Sequence, residues 1–123
     1  MLICFDWVFP EAWRILALKG ADIICHPSNL VLPYAQKAVP VNGLMNKTYN
    51  ITSNRYGNER GVTFSGSSII SDPEGIVEAK AQKKADAVCI VEMDLDKTRN
   101  KMITPRNHLF NDRRPEIYGD LLI

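Results

Sequence analysis

The sequence predicts a mixed α/β domain, and three observations predict it. Short apolar runs at residues 2–4, 22–26 and 48–54 are separated by stretches with helical spacing, the order of strand–helix–strand units with parallel pairing. After residue 56 the pattern changes to β-rich runs joined by turn chemistry, which reads as hairpins. A hydrophobic fraction of 46% and a charged fraction of 24% over 123 residues suit an ordinary globular chain with one core.

Residues 2–4 read as the end of a buried strand, and Asp6-Trp7 with Pro10-Glu11 as a turn into a helix. Pro10 suits the first helical position, where its missing N–H is harmless. Trp13, Leu16 and Ala17 then recur at helical spacing until Gly20 ends the segment. Residues 22–26 form a short buried strand stopped at Pro27-Ser28-Asn29. Pro33 opens a second helical stretch, which Pro40 and Gly43 are expected to interrupt. Residues 48–54 alternate like a strand, and residues 56–61 read as a loop. Residues 64–71 are β-rich, Asp72-Pro73-Glu74-Gly75 is a tight turn, and residues 76–81 return from it. Residues 88–93, "VCIVEM", read as another buried strand, and Asp94 as the cap of a short helix running to Lys101. The remaining "ITPRNHLFNDRRPEIYGDLLI" has no period and reads as an extended tail that docks elsewhere.

Composition narrows the function. A net charge of +1 and a pI near 7.7 give no nucleic-acid footprint. No apolar run approaches the length of a membrane span, and no secretory signal pattern is present. Three cysteines without CxxC spacing suggest free thiols in a reducing compartment, so the expected location is the cytoplasm. No Cys/His cluster has ligand spacing, so no metal site is expected.

Cys4 is the first residue that could carry chemistry. A thiol after an apolar strand and before a helix lies near backbone N–H groups and a helix's positive end, which favour an attacking thiolate. The N–H of Phe5 could help hold a developing oxyanion. Taken alone, the same cysteine reads as a small buried hydrophobe, and Cys25 and Cys89 read as structural thiols in apolar strands.

The stretch "ICFDWVFPEAWRILALKGADIICHPSNLVLP" resembles the nucleophile segment of the nitrilase (carbon–nitrogen hydrolase) superfamily. The resemblance continues through "ITSNRYG", "FSGSSIISDPEG" and "RNHLFNDRRPEIYG", so it covers essentially the whole chain. It implies an α/β fold corresponding to the C-terminal half of an α-β-β-α sandwich, incomplete, with residues 1–123 as a partial hydrolase domain. It also implies hydrolysis of a linear amide, N-carbamoyl or nitrile C–N bond through a thioester, without a cofactor. "HPSNLVLPY" and the tail lean towards the amidase and N-carbamoyl amide hydrolase branch. Cys4 matches the nucleophile, and His26, Pro27, Ser28 and Asn29 match a loop lining the pocket. Glu11 and Arg14 match an acid–base pair that braces the helix behind the nucleophile, and residues 113–116 match a tail that packs on a neighbouring subunit.

Two departures qualify that reading. The family's catalytic Glu and Lys lie upstream of its cysteine, and only three residues precede Cys4 here. Met1 is therefore expected to fall inside a family strand and the chain to be the second half of a longer design, inactive alone. "NGLMN" stands where the family commonly has Arg-Ala-x-Glu-Asn, so Asn42 and Met45 replace a charged pair, and Gly43 costs roughly 0.5–1 kcal/mol relative to alanine. The rival expectation is a non-catalytic remnant acting as a structural or interaction subunit. The expected partners are a small substrate, if an N-terminal half completes the site, and further copies of the chain in a homo-oligomer. Neither nucleic acid nor a membrane is expected.

Overall fold

A computed structural model describes residues 1–122. A five-residue 3-10 turn at Cys4–Val8 leads into α1, Pro10–Leu18, with Pro10 at its first position. Gly20 lies at φ +88°, and the chain turns there into β1, Ile23–Ser28. Helix α2, Ala35–Asn46, connects β1 to β2, Tyr49–Asn54. Next come the hairpin β3, Tyr56–Glu59, with β4, Val62–Ser65, then β5, Ile69–Ser71, and β6, Val77–Lys80. A single helical turn, α3, Asp96–Arg99, precedes a small hairpin of β7, Met102–Thr104, and β8, Asn107–His108.

The main sheet has the order β1-β2-β5-β6. Strands β1 and β2 are parallel, with Ile24 opposite Asn50 and His26 opposite Thr52; β5 joins β2 antiparallel. One face lies under the helices. Leu2, Trp13, Ile24, Val39 and Ile69 form the core there, with Trp7 and Leu16 against it. The other face of β1 exposes Ile23, Cys25 and Pro27. The chain is thus one helical layer on one sheet, the two layers that half of an α-β-β-α sandwich supplies.

Several elements differ from expectation. Residues 2–4 are not a strand: Leu2 is buried and its N–H reaches the Cys25 carbonyl, but Cys4 then turns to φ +48° and ends the extended run. Strand β1 continues through Pro27, which is tolerated because β1 is an edge strand that need not donate at every residue. Helix α2 runs unbroken through Pro40 and Gly43. Packing supplies the reason for Gly43, since a Cβ there would lie 2.9 Å from the Asp72 carbonyl oxygen and 3.1 Å from Asn50 Nδ2. Residues 56–61 are a strand and a two-residue turn rather than a loop; Arg60 and Gly61 both have positive φ, as a type I′ hairpin requires.

The expected strand at residues 88–93 is not formed, and Val88 and Ile90 are 92% and 91% exposed. Cys25 and Cys89, expected to be buried, are both exposed. The helix after Asp94 stops at Arg99, short of Lys101, although Asp94 Oδ1 does accept the Asp96 N–H at 3.0 Å. The tail is folded into β7, β8 and short 3-10 turns rather than extended, and it docks through Phe110, whose ring lies under the Arg14 guanidinium and the Lys101 ammonium. The Asp72 turn is as expected: Oδ1 of this buried carboxylate accepts the N–H groups of Glu74 and Ile76 at 2.9 and 2.8 Å. Among the described residues no helix is long and apolar enough to cross a membrane.

Candidate active site

Cys4 is the hinge between the apolar start of the chain and the 3-10 turn. Its φ of +48° is left-handed, a conformation that costs a non-glycine residue about 1–3 kcal/mol and persists only where surrounding bonds hold it. Those bonds are present. The Asp6 carboxylate accepts the Ile3 N–H at 2.8 Å, and the Asp6 N–H donates to the Ile3 carbonyl at 3.0 Å. Below the corner, His26 Nε2 lies 2.7 Å from the Cys4 carbonyl oxygen.

Cys4 is half-buried and lies at an open cleft of about 840 Å³. Pro27, Ser28 and Asn29 line the same cleft, so β1 and the residue after it bring three of the sequence-identified positions to Cys4. His26 does not line it. Alternation in β1 turns His26 to the helix face, where it is fully buried. Phe5 does not line it either: its ring is exposed and meets Phe9 edge-on at 5.8 Å. The Phe5 amide, at the start of the 3-10 turn, has no intrahelical acceptor.

Glu11 and Arg14 do not form the expected pair. Glu11 is exposed and makes no ion pair among the described residues. Arg14 instead donates from Nη2 to the Met45 carbonyl at 2.7 Å and stacks over Phe110. It thereby ties α1 to the end of α2 and to the tail. Burial, and then the charge of Arg113, hold the Arg14 pKa below its usual value.

The far wall of the cleft comes from residues that sequence reasoning assigned no role. Asn54 accepts the Leu30 N–H at 2.8 Å and donates to Ser65 Oγ and the Gly66 carbonyl, pinning the loop after β1 to the loop after β4. Gly66 and Ser67 both have positive φ, and a Cβ on Gly66 would lie 2.2 Å from the Lys83 carbonyl oxygen. The signal was present, since "SNRYG" and "FSGSS" belong to the resembling fragments, but nothing in their spacing says that they meet. Tyr56 donates to Asp86 Oδ1 at 3.1 Å, and that hydrogen bond and charge push the phenol pKa up.

Charge at the cleft is sparse. Arg55 and Asp86 are its charged lining residues, and Arg55 is already paired with Glu59 at 2.7 Å. Neither a glutamate nor a lysine lines it among the described residues. Nor do those residues include a group of three or more His, Cys, Asp or Glu placed to hold a metal ion.

Burial holds the His26 pKa below the ordinary value near 6.5, against smaller opposing effects of the Cys4 carbonyl and Asp6. The folded state therefore binds the imidazole proton less readily than the unfolded chain does. Its contribution to stability is complete above pH 6.5 and is lost as pH falls through the lowered value. Urea midpoints measured from pH 8 downward should decline in that window, and His26→Gln should flatten the decline. An unchanged decline in His26→Gln would assign it to the carboxylates instead.

Comparison with known proteins adds the following. The carbon-nitrogen hydrolase family model matches residues 1–101. A Pyrococcus abyssi protein named nitrilase is 50% identical over 118 residues, which are 96% of this chain and 45% of that one. The N-carbamoylputrescine amidase of Arabidopsis thaliana is 31% identical over an alignment that covers 98% of this chain and 46% of its own. The crystal structure of a carbon-nitrogen hydrolase from Helicobacter pylori G27 matches with a TM-score of 0.84 at 29% identity, covering 98% of this chain and 47% of that one. The chain spans about half the length of the curated relatives it matches.

Proposed function

Because the chain belongs to the carbon-nitrogen hydrolase family, we propose that its cleft serves hydrolysis of a linear amide or N-carbamoyl C–N bond, or of a nitrile, with Cys4 as the nucleophile. The observation that carries this reading is the strained Cys4 corner at the mouth of the cleft. For an amide, Cys4 Sγ adds to the acyl carbon, the C–N bond breaks, and ammonia or an amine leaves with the thiol proton. Water then cleaves the thioester, releasing the acid and the thiol. The Phe5 N–H serves the developing oxyanion, and Pro27, Ser28 and Asn29 line the acyl side. The general base and the charged oxyanion donor are the family's Glu and Lys, carried by a segment corresponding to the other half of the relatives. Residues 1–123 act as the second half of the catalytic domain, and the exposed sheet face with Ile23 and Cys25 packs against the first half. The completed protein assembles as a homo-oligomer through the tail around residues 113–116, and free thiols suit a reducing compartment such as the cytoplasm.

A second reading, a non-catalytic structural subunit, is favoured by one observation: among the described residues no glutamate or lysine lines the cleft. The two readings separate on activity. The chain alone should release ammonia at background rates from amides, nitriles and N-carbamoyl amino acids, since a nucleophile without its partners keeps little of the rate enhancement. Fused behind the N-terminal half of the Pyrococcus abyssi relative, it should turn over at least one of these classes. A folded fusion at background favours the structural subunit. Turnover by the chain alone that disappears in Cys4→Ala would show that the missing partners are not needed.

A further inference from the structure

We propose that His26 is a positioning residue for the Cys4 corner, fixing the peptide plane between Cys4 and Phe5 through the Cys4 carbonyl. The inference rests on Cys4 being the nucleophile for its catalytic meaning, but not for its geometry. His26 is fully buried, with Trp13 edge-on at 6.0 Å. Nε2 lies 2.7 Å from the Cys4 carbonyl oxygen, which has no proton to give, so Nε2 carries the hydrogen. Nδ1 is then the bare nitrogen and accepts the Thr52 hydroxyl at 3.1 Å. Ser28 Oγ, 2.9 Å from Nε2, is a second acceptor of the same N–H, and its own hydrogen points to the His26 carbonyl at 3.3 Å. All four contacts agree with one neutral tautomer.

The consequence follows from peptide geometry. In a trans peptide the C=O and the next N–H point in opposite directions across one rigid plane. The peptide bond here is trans, because no cis bond occurs among the described residues. An imidazole that draws the Cys4 carbonyl inward therefore turns the Phe5 N–H away from His26 and the core. The same hold keeps Cys4 in its left-handed conformation. One buried side chain thus sets both the nucleophile's backbone and the direction of the amide proposed to meet the oxyanion.

The test uses the whole chain and reads the alkylation of Cys4 by iodoacetamide against that of the exposed Cys89, peptide by peptide, well below the thermal midpoint. His26→Leu, which fills the space but donates nothing, should free the corner and raise the Cys4-to-Cys89 rate ratio about tenfold, the equivalent of one buried hydrogen bond. His26→Gln, which can donate to the Cys4 carbonyl and accept from Thr52, should stay near the wild-type ratio. If His26→Leu does not fold, Thr52→Val, which removes only the hydroxyl that holds the ring at Nδ1, should move the ratio the same way. A wild-type ratio in folded His26→Leu or Thr52→Val, or a His26→Gln ratio like that of His26→Leu, overturns the proposal. A ratio that follows His26, in a fused hydrolase whose turnover ignores Cys4→Ala, upholds the positioning role and removes the catalytic reading of Cys4.

Discussion

Cys4→Ala is expected to lower kcat of the fused hydrolase by about 10⁴- to 10⁶-fold, the loss typical of removing a covalent nucleophile. The size follows from the chemistry: without Sγ no thioester forms, and water must attack the amide directly in a cleft of about 840 Å³. Substrate binding should change little, because one atom is removed and the wall of Ser28, Asn29, Asn54 and Ser67 stays in place. A steady-state assay with a matched KM measurement checks this. A fall of less than tenfold would mean that another group attacks. Cys89, although exposed, is not a cleft residue and should be replaceable by serine without loss.

Trp13→Ala is expected to cost about 3–5 kcal/mol of folding stability, the range for removing a fully buried large aromatic. The indole packs in one cluster with Leu2, Ile24 and Val39, stands edge-on to His26, and donates Nε1–H to the Trp7 carbonyl at 3.2 Å. Its removal opens the space between α1 and the sheet directly under the Cys4 corner. Against a total stability of about 5–15 kcal/mol, such a loss leaves the chain marginal. Denaturant midpoints of wild type and variant measure it. A cost under about 1 kcal/mol would show that the helix layer does not depend on this contact.

The parts of the fold legible in the sequence are those written locally. Pro10 announces α1, the apolar runs announce β1 and β2, and Asp72-Pro73-Glu74-Gly75 announces its turn, because each depends on residues within one or two turns of chain. What could not be read depends on distant partners. Gly43 sits inside helix α2 because the Asp72 carbonyl, Asn50 and the Thr48 carbonyl leave no room there for a Cβ. Residues 88–93 have strand composition, but a strand is a relation between two segments, and no ladder forms there among the described residues. Cys25 sits in a real strand yet is exposed, because helices cover one face of β1 only.

The candidate site divides in the same way. Cys4, Pro27, Ser28 and Asn29 were reachable through the resemblance, and the cleft does gather them. His26 was placed in the lining, but strand alternation puts it beneath the corner, where it holds the Cys4 carbonyl. Arg14 was matched with Glu11 three positions away, whereas the Met45 carbonyl, 31 positions on, takes its hydrogen bond. Asn54, Gly66 and Ser67 carried no visible role, because only the pairing of β2 with β5 and the turn of the chain after β4 bring them opposite Cys4.

The measurement that bears most directly on the account is acyl trapping. The fused hydrolase is mixed with an amide that it turns over, quenched in acid within the first turnovers, digested and weighed peptide by peptide. The expected result is the acyl mass on the peptide containing Cys4, labile to hydroxylamine as a thioester is, and absent in Cys4→Ala. Turnover with the acyl group on Cys25 or Cys89, or with Cys4 unmodified throughout, contradicts it.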